Sequence, residues 1–184
     1  MKNEYPEFHP SIFKMGYFIV YKGDNSWLTN TIAKEQREEG HSFDNAQYVH
    51  VEVSGGGYDS VEVNFPRAKA VDIRKAHKNR YAKLLKYKAP DYNIKRYKIA
   101  YWSMSDCGRA YSLRSLAWWK IKDWPFFRKF LKKRRLLKSG LFCSYSCALA
   151  LGRQYKLHKI ADQFMPADFL DPTHFELVWE GQIK

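Results

Sequence analysis

Apolar and polar positions change period several times along the chain, and each change marks an element. Tyr17-Phe18-Ile19-Val20-Tyr21 is an unbroken β-rich run closed by the turn sequence Lys22-Gly23-Asp24-Asn25. Ser26 stands as a cap before a helix from Trp27 to about Arg37, with Leu28, Ile32 and Ala33 apolar and Gly40 beyond its end. Tyr48 to Val53 and Tyr58 to Asn64 alternate strictly around Gly55-Gly56-Gly57, and Ala70 to Ile73 is a further short strand. From Ala76 to Lys88 the spacing of Ala76, Tyr81, Leu84 and Leu85 predicts a helix that ends before Pro90. Lys98 to Trp102 reads as a strand, and Asp106 to Ile121 as a helix with Leu113, Leu116 and Ala117 inward. Trp124-Pro125 opens a second amphipathic helix, with Phe127, Phe130, Leu131 and Leu137 roughly on one face. Ser144 to Leu151 is a short apolar helix, and Phe175 to Trp179 a closing strand. Strands early and helices late, with no repeat or linker, predict one α+β domain over residues 1–184.

Composition sharpens this picture. Of 184 residues, 45% are apolar and 17% aromatic, which is ample for a core and excludes global disorder. There is no apolar run of about 18 residues, so no transmembrane helix is expected. Met1-Lys2-Asn3-Glu4-Tyr5-Pro6 lacks the apolar stretch of a secretion signal, so a cytoplasmic product is expected. Three cysteines without such a signal argue against a disulfide framework.

The net charge of +13 invites a nucleic-acid reading, but the charge is localised. Residues 67–98 hold twelve Lys/Arg against Asp72 and Asp91, and residues 120–138 hold nine against Asp123. The remainder carries about −5. Two basic segments, about 74–98 and 120–138 and both read largely as helices, therefore sit on a near-neutral scaffold. They are either solvated amphipathic faces or an electropositive surface for phosphates, anionic lipids or an acidic polymer. Arg74, Lys129, Lys132, Lys133, Arg134 and Arg135 are its candidate binding residues.

The most informative stretch is the glycine hairpin. Val49, Val51 and Val53 share one face of the first strand, as Val61 and Val63 do of the second. A three-residue loop over Gly55-Gly56-Gly57 sets Val51 opposite Val61, Val49 opposite Val63, Glu52 opposite Ser60 and His50 opposite Glu62. Opposed Cβ atoms lie roughly 4.5–5.5 Å apart, close enough for a carboxylate to orient an imidazole and stabilise its charged form. Glu62 is the first candidate for that role, with Glu52 or another polar residue as alternatives. A solvated cross-strand pair is the competing reading.

A nucleophile stands later, in Gly140-Leu141-Phe142-Cys143-Ser144-Tyr145-Ser146-Cys147. Cys143 falls where a Ser-capped helix begins, and free N–H groups there favour a thiolate and can hold an oxyanion. Cys147 reads as a core thiol, and Cys107 has no comparable setting. Cys143 could equally be a small core residue. Cys143 and Cys147 form a C-x₃-C pair with no second ligand pair at metal spacing, so no metal or other cofactor is expected.

These residues together resemble the circularly permuted papain-like hydrolases of the NlpC-type superfamily, particularly the YiiX-like branch. The matching stretches are Gly16 to Val20, Trp27 to Lys34, Tyr48 to Val53, Ser60 to Val63, Val71 to Arg74, Leu141 to Ser144, Met165-Pro166-Ala167-Asp168-Phe169 and Phe175 to Val178, in order over about residues 13–180. The resemblance implies a permuted papain-like fold with Cys143 as nucleophile, His50 as general base and Glu62 as third member. It implies a cysteine hydrolase of the amidase, endopeptidase or acyl-transfer type, acting on amide or ester substrates such as peptidoglycan peptides, other isopeptides or lipid esters, which can be anionic. Phage proteins are frequent in that family, so virion association is implied as well. The rival expectations are a non-catalytic basic module of the same fold that binds nucleic acid or an anionic surface, with Tyr97, Tyr101, Trp102, Trp118 and Trp119 able to stack bases, and a structural virion protein with a remnant site.

Overall fold

The run Phe18–Lys22 (β1) has no polar residue before Lys22 because it is an inner strand of the sheet, buried on both faces. This computed structural model describes residues 7–111 and 142–184. Around β1, the strands β2 (Tyr48–Gly56), β3 (Asp59–Val63), β4 (Ala68–Asp72), β5 (Tyr81–Tyr87) and β6 (Phe175–Gln182) complete a six-stranded antiparallel sheet in the order β4-β3-β2-β1-β5-β6. The helices are α1 (Trp27–Glu38), α2 (Phe43–Ala46), α3 (Ile73–Ala76), α4 (Tyr92–Met104) and α5 (Cys143–Gly152). The mixed α+β expectation holds. Among the described residues no helix is long and apolar enough to cross a membrane.

The core joins Phe18, Val51, Leu84, Ile99, Leu151 and Phe169 across sheet and helices. One polar side chain is woven into it. Gln36 of α1 is fully buried, donates to the carbonyls of Ala46 (2.8 Å) and Tyr48 (2.9 Å), and accepts from the amide of Ala167 (2.7 Å). Three segments far apart in sequence thus share one amide.

Gly16 fixes the approach of α4 to β1. Its φ is +80°, and a Cβ there would run into the backbone oxygen of Arg96. Its carbonyl also accepts from the Tyr92 hydroxyl at 2.5 Å. Gly16→Ala combines a disfavoured backbone with a backbone clash that no rotamer relieves, so we expect a loss of about 2 kcal/mol or more in urea unfolding. A loss within about 0.5 kcal/mol would contradict this close approach.

The largest departure from the sequence reading concerns residues 76–102. The helix expected over Ala76 to Lys88 is the short α3 followed by β5, which lies between β1 and β6. Leu84 and Leu85 satisfy helical spacing, yet Ala82 and Leu84 are fully buried in a strand that pairs on both sides. Sheet pairing thereby overrides local propensity. The strand expected over Lys98 to Trp102 belongs to α4, and residues 106–111 form turns and an isolated bridge instead of a helix start. The second basic segment, with Lys129, Lys132, Lys133, Arg134 and Arg135, lies outside the described residues, as do Trp118 and Trp119.

Much of the first basic segment is neutralised locally. Arg74 binds Asp72 (2.6 Å) and lies over the Tyr58 ring, while Lys69, Lys83, Lys86 and Lys95 pair with Glu62, Glu180, Glu176 and Asp91. Lys88 and Arg96 donate to the carbonyls of Pro172 and Met15.

Candidate active site

Cys143 is the first residue of α5, after Phe142 in an extended cap conformation. The cap differs from the serine cap expected. The Ser144 hydroxyl donates to the Phe164 carbonyl (2.6 Å) and that of Ser146 to buried Asp106 (2.8 Å), anchoring the first turn sideways. The N-terminal amides of α5 are therefore left for the thiol.

The strand beneath explains why the thiol sits where it does. Paired residues of β2 and β3 run from Val53↔Val61 to Gly56↔Asp59. On the β1 side, the N–H and C=O of Ser54 pair with Tyr17 and Gly16, so alternate residues of β2 turn their polar groups the other way. Val51 is one of those, two residues beyond the last pair with β3. Its carbonyl accepts from the buried Cys147 thiol (3.7 Å), and its backbone hydrogen-bonds Cys143, as does that of Ser144. Helix α5 thus docks onto β2 through two cysteines and one residue's main chain.

His50, on β2, hydrogen-bonds the Cys143 sulfur. Its Nε2 lies 3.0 Å from Glu52 Oε1, so Nδ1 is the ring nitrogen that this carboxylate does not engage. Burial opposes ionisation of Cys143, but the His50 charge and hydrogen bond, with the two backbone bonds, outweigh it and bring the thiol below its usual range. Burial likewise pulls His50 down, and the Cys143 and Glu52 charges and hydrogen bonds push it up to about 10. Each group thus favours the charged form of the other.

Glu52 is fully buried, where an unpaired carboxylate would be costly, and four donors offset that. His50 and His77 (2.5 Å) reach Oε1; Tyr21 (3.2 Å) and Ser60 (2.5 Å) reach Oε2. Burial would raise its pKa, but the hydrogen bonds and charges of His50 and His77 hold Glu52 far below the usual carboxylate range. Because Arg80 Nη1 approaches His77 Nδ1 at 3.4 Å and can only donate, His77 Nε2 carries the hydrogen.

Of the three residues expected to act together, the structure brings Cys143 and His50 to one place, and the carboxylate beside His50 is a different one. His50 pairs with Glu52 on its own strand, not with Glu62 across the hairpin. The chain turns through Gly56 and Gly57, both at positive φ, with a bulge at Ser54/Gly56, so Val53 rather than Val51 faces Val61. That register brings Glu62 level with Glu52. Glu62 binds Asn64 Nδ2 (3.2 Å) and Lys69 (3.3 Å), and its nearest approach to the cluster is 4.0 Å, to His77 Nε2. Arg74 holds Asp72 on the surface. Cys147 is buried, as expected, and Cys107 is exposed.

Sequence reasoning missed His77 and Tyr21, and placed Ser60 beside Glu52 without giving it a part in the site. Ser60 was visible as a neighbour of Glu52 on the same sheet face. His77 carried no signal, since the reading placed it inside a helix. On the far side of Cys143, Tyr111, Tyr145, Val63 and Ala68 form a small apolar wall.

Two groups have metal-ligand composition among the described residues: His50, Glu52, Glu62 and His77, and the more exposed His158, Asp171 and His174. In the first, the 2.5 Å His77–Glu52 contact is shorter than the roughly 3.3 Å edge of a tetrahedral site with zinc bonds near 2.0 Å. The protons already present account for it, so a hydrogen-bonded network fits that group better. No family model matches the chain, no curated protein matches it, and no solved structure matches it.

Proposed function

We propose that this protein is a cysteine-dependent hydrolase or acyl transferase of the permuted papain-like kind, with Cys143 as nucleophile, His50 as acid–base and Glu52 as the orienting carboxylate. The observation that carries this reading is a thiol at a helix start hydrogen-bonded to a histidine whose other nitrogen is held by a buried, four-donor carboxylate. The chain order, a histidine strand before the cysteine helix, is that of the permuted arrangement.

Cys143 Sγ attacks the carbonyl carbon of an amide or ester. Amides at the start of α5 are the nearest donors for the oxyanion. His50 then gives its proton to the leaving amine or alcohol as the C–N or C–O bond breaks, leaving a thioester on Cys143. Water, or an acceptor amine or alcohol, loses a proton to His50 and attacks the thioester, and the thiol is restored. Peptidoglycan peptides, isopeptides and lipid esters are the substrate classes considered. Neutralisation of many charges in residues 67–98 weakens the rival reading, in which that surface holds nucleic acid.

The test is labelling by iodoacetamide across pH. A thiol with a lowered pKa stays reactive below the ordinary value of about 8.5. Reactivity falls on the acid side as Cys143 is protonated. Acyl transfer also falls on the alkaline side, as His50 loses its proton through about pH 10. We expect selective modification of Cys143 at pH 6–7, reduced about tenfold or more in His50→Ala. Labelling of Cys107 in preference to Cys143 at neutral pH would overturn the reading.

A further inference from the structure

We infer that His77 is a positioning residue of the site: held in its Nε2–H form by Arg80, it keeps Glu52 ionised and aimed at His50, extending the triad to Cys143–His50–Glu52–His77–Arg80. The inference rests on the proposed cysteine chemistry for its purpose but not for its geometry.

A buried carboxylate favours its protonated form unless donors hold the charged one. Glu52 Oε1 receives both histidines, and His77 makes the shorter contact. A histidine can serve there as a donor only in one tautomer. The neutral Nδ1–H form would turn a bare Nε2 lone pair toward the carboxylate. Arg80 removes that choice because a guanidinium has no lone pair to offer Nδ1. Arg80 is fixed in turn by its bond to the Lys22 carbonyl (3.0 Å) and by the Tyr21 ring (5.3 Å). Tyr21 also packs against His77, with ring centres 4.1 Å apart, and donates to Oε2 of the same carboxylate.

The charged and titratable groups facing Glu52 are Tyr21 from β1, His50 on β2, Glu62 from β3, and His77 with Arg80 after α3. From α5, Cys143 faces it through His50, and the Cys147 thiol, raised first by its burial, is raised in part by the Glu52 charge. Of these, Glu62 and an ionised Cys143 carry the same sign of charge as Glu52; Lys69 offsets the first and His50 the second. His77 is only 3% exposed and has no route to a substrate, so its influence passes through Glu52.

Two measurements test this on the whole chain. The first reads the ring nitrogens of His77 by long-range proton–nitrogen correlation in solution. The Nε2–H tautomer is expected, and an Nδ1–H form would overturn the proposal whether or not the protein is an enzyme. The second is the pH profile of Cys143 alkylation. In His77→Leu the profile should move to higher pH, with a rate at pH 6 lower by about tenfold or more, the loss expected for one charge-assisted hydrogen bond. His77→Gln, which can still donate to Glu52, should recover most of it. If His77→Leu does not fold, Arg80→Met replaces it, and the tautomer of His77 should then become mixed and the profile move the same way. A folded His77→Leu or Arg80→Met with an unmoved profile would overturn the inference. An ordinary thiol pKa in the wild type would instead overturn the cysteine chemistry, and the tautomer measurement would still decide the role of His77.

Discussion

Glu52→Gln should slow Cys143 alkylation at pH 6 by about 10- to 1,000-fold, because an opposite charge in contact shifts a titrating group by one to three pKa units. The glutamine keeps the size of the side chain and one carbonyl acceptor, so the loss isolates the charge. Without that charge His50 holds its proton less tightly, and the thiolate loses its counterion. The sign is fixed by the structure: the charge of Glu52 raises His50, and His50 lowers Cys143. Glu62→Gln should leave the same rate within about threefold, since Glu62 faces Lys69 and comes no nearer than 4.0 Å to the site's histidines. The two variants differ by one register step in a hairpin, and their ranking decides between them. If Glu62→Gln were the damaging change, the assignment of Glu52 would fall.

The acid limb of stability should follow the same carboxylate. Its folded pKa lies far below the unfolded value of about 4.3, so its contribution is present above that value and is lost as pH falls toward the folded one. In Glu52→Gln the fall in stability below about pH 4.5 should be shallower than in the wild type.

Gln36→Leu should have the largest effect on stability away from the site, about 3 kcal/mol or more. It strands the Ala46 and Tyr48 carbonyls and the Ala167 amide, each worth about 1–3 kcal/mol when buried without a partner. For a chain of this size 1 kcal/mol corresponds to roughly 2–4 °C in Tm, so a fall of about 6–12 °C is expected in a thermal melt. Because Gln36 tethers the turn before Phe169 to the start of β2, labelling of Cys143 should survive at low temperature in the variant. A melt lowered by less than about 2 °C would show that these groups find other partners.

The face pattern of the hairpin was legible; its register was not. A slip of one residue turns every valine to the wrong face, so alternation excludes it. A slip of two preserves both faces, and only the turn chooses between the remaining registers. The bulge at Ser54 and the positive φ of Gly56 and Gly57 made that choice. His50 and Glu52 were already neighbours at i and i+2, about 6.7 Å apart along the strand, within reach of two long side chains. Cys143 was readable because a cysteine before an apolar helix is a local signal. His77 was not, because its place depends on β5 entering the sheet between β1 and β6. Leu84-Leu85 breaks the alternation of a strand, because β5 is buried on both faces there and bulges between them, and only the neighbouring strands reveal this.

Both cysteines of α5 are moored to the main chain of Val51. Every residue except proline offers the same N–H and C=O, so the mooring does not depend on which side chain occupies that position. Substitution there can alter the core while leaving the Cys143 thiol in register with His50, so that packing and the placement of the thiol are set by separate parts of one residue.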